Sequence, residues 1–114
     1  MYSVENYSLE GNITLVTGAS RGIGAGIADL FGQAGSTVIG TATSSEGAHS
    51  ISERFSKSNI KGRGVVLDVS QSSKVNELIK ELKINDENPS ILINNAGISM
   101  ESLMMRIKED DWDK

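Results

Sequence analysis

The sequence predicts an α/β fold, a doubly wound parallel sheet with helices on both faces. Three observations predict it. Four short runs rich in β-branched and apolar residues recur along the chain, each run ends at a turn, and amphipathic stretches long enough for several turns of helix separate them. Parallel neighbours need a crossover connection, which is almost always right-handed, so the expected strand order is 3-2-1-4.

The first strand is Ile13-Thr14-Leu15-Val16, a run suited to burial on both faces that leads into Gly18. Residues 22–34 form the first helix, in which Ile23, Ile27, Leu30 and Phe31 recur at helical spacing and Gly35 supplies the left-handed residue that a helix C-terminus favours. Gly26 and Gly32 each weaken this helix by about 1 kcal/mol relative to alanine, so packing must hold it. Thr37-Val38-Ile39-Gly40 is the second strand, and Ala48, Ile51 and Phe55 form the apolar stripe of the second helix. The third strand is expected over 64–69, and Ser72 or Ser73 caps a helix carrying Val75, Leu78, Ile79 and Leu82. Pro89 and Ser90 break the chain before the fourth strand, Ile91-Leu92-Ile93-Asn94. No repeat or linker divides residues 1–114, which read as the first portion of one larger nucleotide-binding domain, its sheet truncated after strand four.

Composition narrows the function. A hydrophobic fraction of 38% and 12 glycines are ordinary for a globular protein. The absence of cysteine excludes disulfides and thiolate metal sites, and the single histidine, His49, excludes a multi-histidine site and reads as a surface residue. A net charge of -4 disfavours nucleic acid as a partner, and the chain has neither a signal-peptide pattern nor a membrane span, so a cytoplasmic protein is expected.

The chemistry lies in Thr17-Gly18-Ala19-Ser20-Arg21-Gly22-Ile23-Gly24, between the first strand and the first helix. Such a turn can serve tight packing alone. Placed between a strand and a helix, though, it lets backbone approach a pyrophosphate and offers that anion the free amides and positive dipole of the helix N-terminus. This is the Rossmann-type arrangement, and the missing lysine after Gly24 disfavours a triphosphate P-loop. Sites for NAD usually end the second strand with an acid, which would repel a 2′-phosphate. Here that segment is Gly40-Thr41-Ala42-Thr43-Ser44-Ser45, neutral and rich in hydroxyls, while Arg21 supplies a cation with fork geometry. NADP is the expected cofactor.

The turn's spacing, Leu67-Asp68-Val69 at the third strand's end and Asn94-Asn95-Ala96-Gly97 at the fourth's together resemble the short-chain dehydrogenase/reductase family. The resemblance implies that Gly18, Ala19, Ser20, Arg21, Gly22, Ile23 and Gly24 cradle the pyrophosphate and 2′-phosphate, with Thr43 beside the latter. It places Asp68 and Val69 at the adenine, and Asn95, Ala96 and Gly97 along the cofactor's border. Within the family, residues 38–44 and Leu103-Met104-Met105-Arg106 are most similar to the bacterial branch that reduces 3-oxoacyl thioesters on acyl carrier protein in fatty-acid synthesis. That branch implies acyl carrier protein as partner, a homotetramer for the full-length protein, and Leu103, Met104 and Met105 near the substrate entrance.

Family members transfer hydride from the nicotinamide while a tyrosine, its pKa lowered by a lysine four residues on, donates the proton and a serine holds the carbonyl. Neither Tyr2 nor Tyr7 has that lysine, Asn6 and Gly11 standing there instead, so no catalytic residue and no metal ligand is assigned. The expectation is an N-terminal fragment of a reductase. The alternatives are a non-catalytic NADP-sensing or interaction domain, and a related reductase of another small ketone.

Overall fold

The computed structural model describes residues 8–68 and 70–95. Its elements run β1 (Ile13–Thr17), α1 (Gly22–Gln33), β2 (Thr37–Ala42), α2 (Ser45–Lys57), β3 (Gly62–Val66), α3 (Ser72–Ile84) and β4 (Ile91–Asn94). All strands are parallel, in the expected order β3-β2-β1-β4.

Because side chains alternate along a strand, the sheet builds a core on each face. Leu15 and Ile39 pack with Val75, Leu78, Ile79 and Leu82 of α3, and Leu92 joins them from β4. On the opposite face Val16 and Val38 pack with Ala28 of α1 and with Ile51 and Phe55 of α2. The chain steps outward from β1 to β2 to β3 and then returns past β1 to β4. Right-handed crossovers in opposite directions must lie on opposite faces, which puts α1 and α2 on one side and α3 on the other. The direction changes between β1 and β4, so a crevice opens where their carboxyl ends diverge.

Three local expectations are corrected. The third strand runs 62–66 rather than 64–69, because β2 ends at Ala42 and its last partner is Val66; one further bond, from the Leu67 amide to the Ala42 carbonyl at 2.8 Å, closes the ladder. Gln71, not Ser72 or Ser73, is the N-cap of α3, and it makes no side-chain cap bond. In α1 the residues turned to the sheet are Gly24 and Ala28, while Ile23 and Leu30 are 76% and 56% exposed. Small residues bring this helix close to the strands, and the bulky ones flank the contact. Packing does account for Gly32, whose Cβ would strike the Ile60 side chain, and Gly35 takes φ +104 as expected of a helix end. His49 is exposed and faces Glu53 at 3.4 Å. Among the described residues no helix is long and apolar enough to cross a membrane, and no cluster of potential metal ligands occurs.

Candidate functional site

The glycine-rich turn leaves β1 at the switch between β1 and β4. Gly18 and Gly22 both have φ +65, a left-handed conformation that lets the chain reverse at each end of the turn and that a Cβ disfavours. Neighbouring strands grip the turn from two sides. On the β2 side the Gly18 amide donates to the Thr41 hydroxyl at 3.1 Å and the Ala19 amide to the Thr41 carbonyl at 2.8 Å. On the β4 side the Thr17 hydroxyl donates to Asn94 Oδ1 at 3.0 Å and accepts from the Asn95 amide at 2.9 Å, and Asn95 Nδ2 donates to the Gly18 carbonyl at 3.2 Å. Gly24 lies beneath this bond; a Cβ there would run into the Gly18 carbonyl and Asn95 Nδ2.

Beyond the turn, α1 begins with no side chain of its own to satisfy its amides. The first-turn amides of any helix lack intrahelical acceptors. At α2 the Ser44 hydroxyl accepts from the Gly47 amide at 3.0 Å, and Glu46 faces the dipole. At α1 the N-cap is Arg21, which makes no side-chain cap bond, and the first turn holds no acid. Arg21 is exposed and forms no ion pair among the described residues. The outcome is a row of donors beside an available guanidinium, a combination that favours an anion.

The other predicted residues lie along the same sheet edge. Thr43 is exposed just past β2, and Thr43, Leu67 and Asp68 line a cleft of about 580 Å³ together with Val65 of β3 and Lys74 and Leu78 of α3. Asp68 is engaged locally: its Oδ1 accepts from the Ser70 hydroxyl at 2.6 Å and the Ser70 amide at 3.0 Å, and Oδ2 accepts from Gln71 Nε2 at 3.3 Å. The Ser70 hydroxyl, and after it the Ser70 amide, hold the carboxyl below its ordinary value. A depressed carboxylate stabilises the fold above its unfolded-state pKa, and that stabilisation is lost as pH falls through the folded value. The stability difference between wild type and Asp68→Ala is therefore expected to be constant near neutrality and to shrink below pH 3.8. Urea unfolding across that window checks it, and a difference that grew on acidification would contradict the assigned hydrogen bonds.

A model of the short chain dehydrogenase family matches residues 12–114. The chain belongs to the short-chain dehydrogenase family. It is 46% identical over 105 residues to the 3-oxoacyl-[acyl-carrier-protein] reductase of Pseudomonas aeruginosa, covering 92% of this chain and 42% of the relative. The enzyme of the same name from Vibrio harveyi is 50% identical over 107 residues and that from Escherichia coli 41% over 105, with the same coverage. This dehydrogenase-family chain thus spans about two fifths of the length of these curated relatives, 42% in each case.

In this member of the family the structure brings Gly18, Ala19, Ser20, Arg21, Gly22, Ile23, Gly24 and Asn95 together at the switch point, with Thr43 and Asp68 further along the edge. Val69, Ala96, Gly97, Leu103, Met104 and Met105 lie outside the described residues. Two contributors escape the sequence reading, Asp29 and Arg54, which brace the turn from the helices; Thr17, read as part of the turn, and Thr41, read as part of the hydroxyl-rich segment, are buried and instead clasp the turn. Arg54 carried a usable signal. It follows Ile51 by three residues and precedes Phe55, so it stands on the shoulder of a buried stripe where a cation requires partners.

Proposed function

We propose that this chain is the nucleotide-binding portion of an NADPH-dependent oxidoreductase that reduces 3-oxoacyl groups on acyl carrier protein to 3-hydroxyacyl groups, and that residues 1–114 form part of one larger domain. The observation that carries the reading is the uncapped, acid-free start of α1 with Arg21 at its lip, set at the β1/β4 switch point. The substrate class rests on the relatives, three of which are named as reductases of this substrate at 41–50% identity.

The site residues fit the cofactor. The amides from Ser20 to Gly24 would hold the pyrophosphate, and the absence of a Cβ at Gly24 leaves the Gly18 carbonyl and Asn95 where the clasp requires them. Arg21 and Thr43, with no acid at the end of β2, would receive the 2′-phosphate, and Asp68 would stand at the adenine. NADPH when bound supplies the hydride. The chain's own task is to hold and orient it at the carboxyl edge of the sheet.

The test uses the complete protein that contains this chain. Removing one charge-assisted hydrogen bond should cost about 1.5 to 3 kcal/mol, at least tenfold in affinity. Arg21→Ala is therefore expected to weaken NADPH binding at least tenfold and leave NADH binding nearly unchanged, both followed by nicotinamide fluorescence. Equal loss for the two cofactors would remove Arg21 from the 2′-phosphate. Turnover of a 3-oxoacyl thioester on acyl carrier protein, with other ketones as comparison, tests the substrate class.

A further inference from the structure

Arg54 lies on α2, outside the cofactor cradle proposed above, yet it reaches into the turn. Its Nε donates to Asp29 Oδ1 on α1 at 2.9 Å, a second guanidinium nitrogen donates to the Ala19 carbonyl at 3.0 Å, and the group lies 5.4 Å from the centroid of the Phe55 ring. The arginine and aspartate side chains are 25% and 32% exposed. This places one forked cation among three elements: α1, α2 and the turn between β1 and α1.

Ala19 is consequently fixed from every direction. Its amide donates to Thr41, its methyl packs on Gly40, where an added Cβ would lie 3.0 Å away, and its carbonyl is held by Arg54. The bond to Arg54 also constrains the next residue. In a trans peptide the carbonyl of one residue and the N–H of its successor point in opposite directions across a rigid plane, and no cis bond occurs among the described residues. Turning the Ala19 carbonyl toward Arg54 therefore turns the Ser20 N–H away from it, and this N–H has no acceptor among the described residues. Asp29 offsets the guanidinium's charge locally, so Arg54 acts by orientation rather than as a second phosphate-binding cation.

We infer that Arg54, held by Asp29, is a positioning residue that locks the Ala19–Ser20 peptide plane and so aims the Ser20 amide at the cofactor's pyrophosphate. The inference rests on the cofactor reading given above. Because the pyrophosphate is common to both nicotinamide cofactors, the effect must be shared by them. In the complete protein Arg54→Met is expected to raise the Kd of NADPH and of NADH by the same factor, roughly tenfold for one misdirected charge-assisted donor. The ratio of the two constants stays at its wild-type value, KM for NADPH rises, and kcat at saturating cofactor is retained. Arg54→Lys does not rescue, since an ammonium cannot present the fork that spans Asp29 and Ala19. Asp29→Asn keeps the arginine and its packing, and is expected to weaken both cofactors together to a smaller degree. It carries the test if Arg54→Met fails to fold.

Unchanged Kd in folded Arg54→Met, or unchanged Kd in Asp29→Asn where the arginine variant does not fold, overturns the inference. A loss confined to NADPH overturns it too, because that would make Arg54 a 2′-phosphate ligand. A fall in kcat and thermal stability with KM unchanged would reduce it to a brace between helices. Wild-type protein that binds neither cofactor would sink the cofactor reading itself, which separates that failure from this one.

Discussion

Gly24→Val is expected to abolish NADPH binding, and Gly26→Ala, two residues along the same helix, is expected to leave it intact and raise stability. The contrast arises from the atoms a side chain would meet. At Gly24 even a Cβ collides with the Gly18 carbonyl and with Asn95 Nδ2, so either α1 retreats from the sheet or the turn moves. Neither is cheap, because Gly18 is held by Thr41 through its amide and Thr17 ties Asn94 and Asn95 to the same strand end. Overpacking at such a point costs about 1–3 kcal/mol in stability. The loss in binding is larger, since a displaced turn misdirects two or more amides at once. At about 1.5–3 kcal/mol for each charge-assisted bond, the affinity falls by at least a hundredfold. A Cβ at Gly26 meets no atom within 4 Å, so replacing it recovers about 1 kcal/mol of helix propensity and touches nothing. Circular dichroism and cofactor titration on the two variants decide the matter. Retained binding in folded Gly24→Val would mean that the turn does not form the cradle.

The same contrast separates features that sequence can convey from those it cannot. Strand order was legible because it follows from topology: three crossovers of one hand leave few arrangements, and four short apolar runs identify the strands. The turn was legible because glycine at Gly18 and Gly22 answers local backbone demands that leave a mark in sequence, and Gly24 marks where the helix comes too close to the turn for a side chain. Boundaries were less legible. The third strand's end is set by where β2 stops offering partners, a property of a neighbour elsewhere in the chain, and not of Leu67 or Asp68 themselves. The α1 stripe misled for a related reason. Hydrophobic spacing marks Ile23 and Leu30, but close helix-to-sheet approach selects small residues, and Ala28 carries little hydrophobic signal on its own. Of the Arg54–Asp29 pair only half was legible: the place of Arg54 beside the α2 stripe can be read from sequence, but its partner cannot, because an ion pair joining two helices is written in no single segment, 25 residues separating its halves.

The 114 residues expressed alone are expected to show no ketone reduction and to self-associate. The chemical half follows from residue inventory: neither tyrosine of the chain has a lysine four positions on, so hydride transfer would proceed without a positioned proton donor. Positioned acid–base groups typically contribute about 10² to 10⁴ in rate, which puts any residual turnover near the background of a steady-state assay. The structural half follows from the sheet. β4 pairs with β1 on one side, and among the described residues no strand pairs with its other side. Its four residues are all half-buried, whereas β1 from Thr14 to Thr17 is buried throughout. A strand as apolar as Ile91-Leu92-Ile93 with unpaired backbone groups is a template for pairing with another copy. Each Å² of apolar surface left in water forgoes about 25 cal/mol, which adds a driving force for association to the hydrogen-bonding one. Sedimentation of residues 1–114 should therefore reveal dimers or larger species whose proportion rises with concentration. Ile91→Lys should reduce them, by setting a charge on the strand through which they pair at a position that belongs to neither core cluster. A monomer with a sharp, concentration-independent thermal transition would show that β4 is protected without a further strand, and measurable turnover of a 3-oxoacyl thioester would place a proton donor within these 114 residues after all.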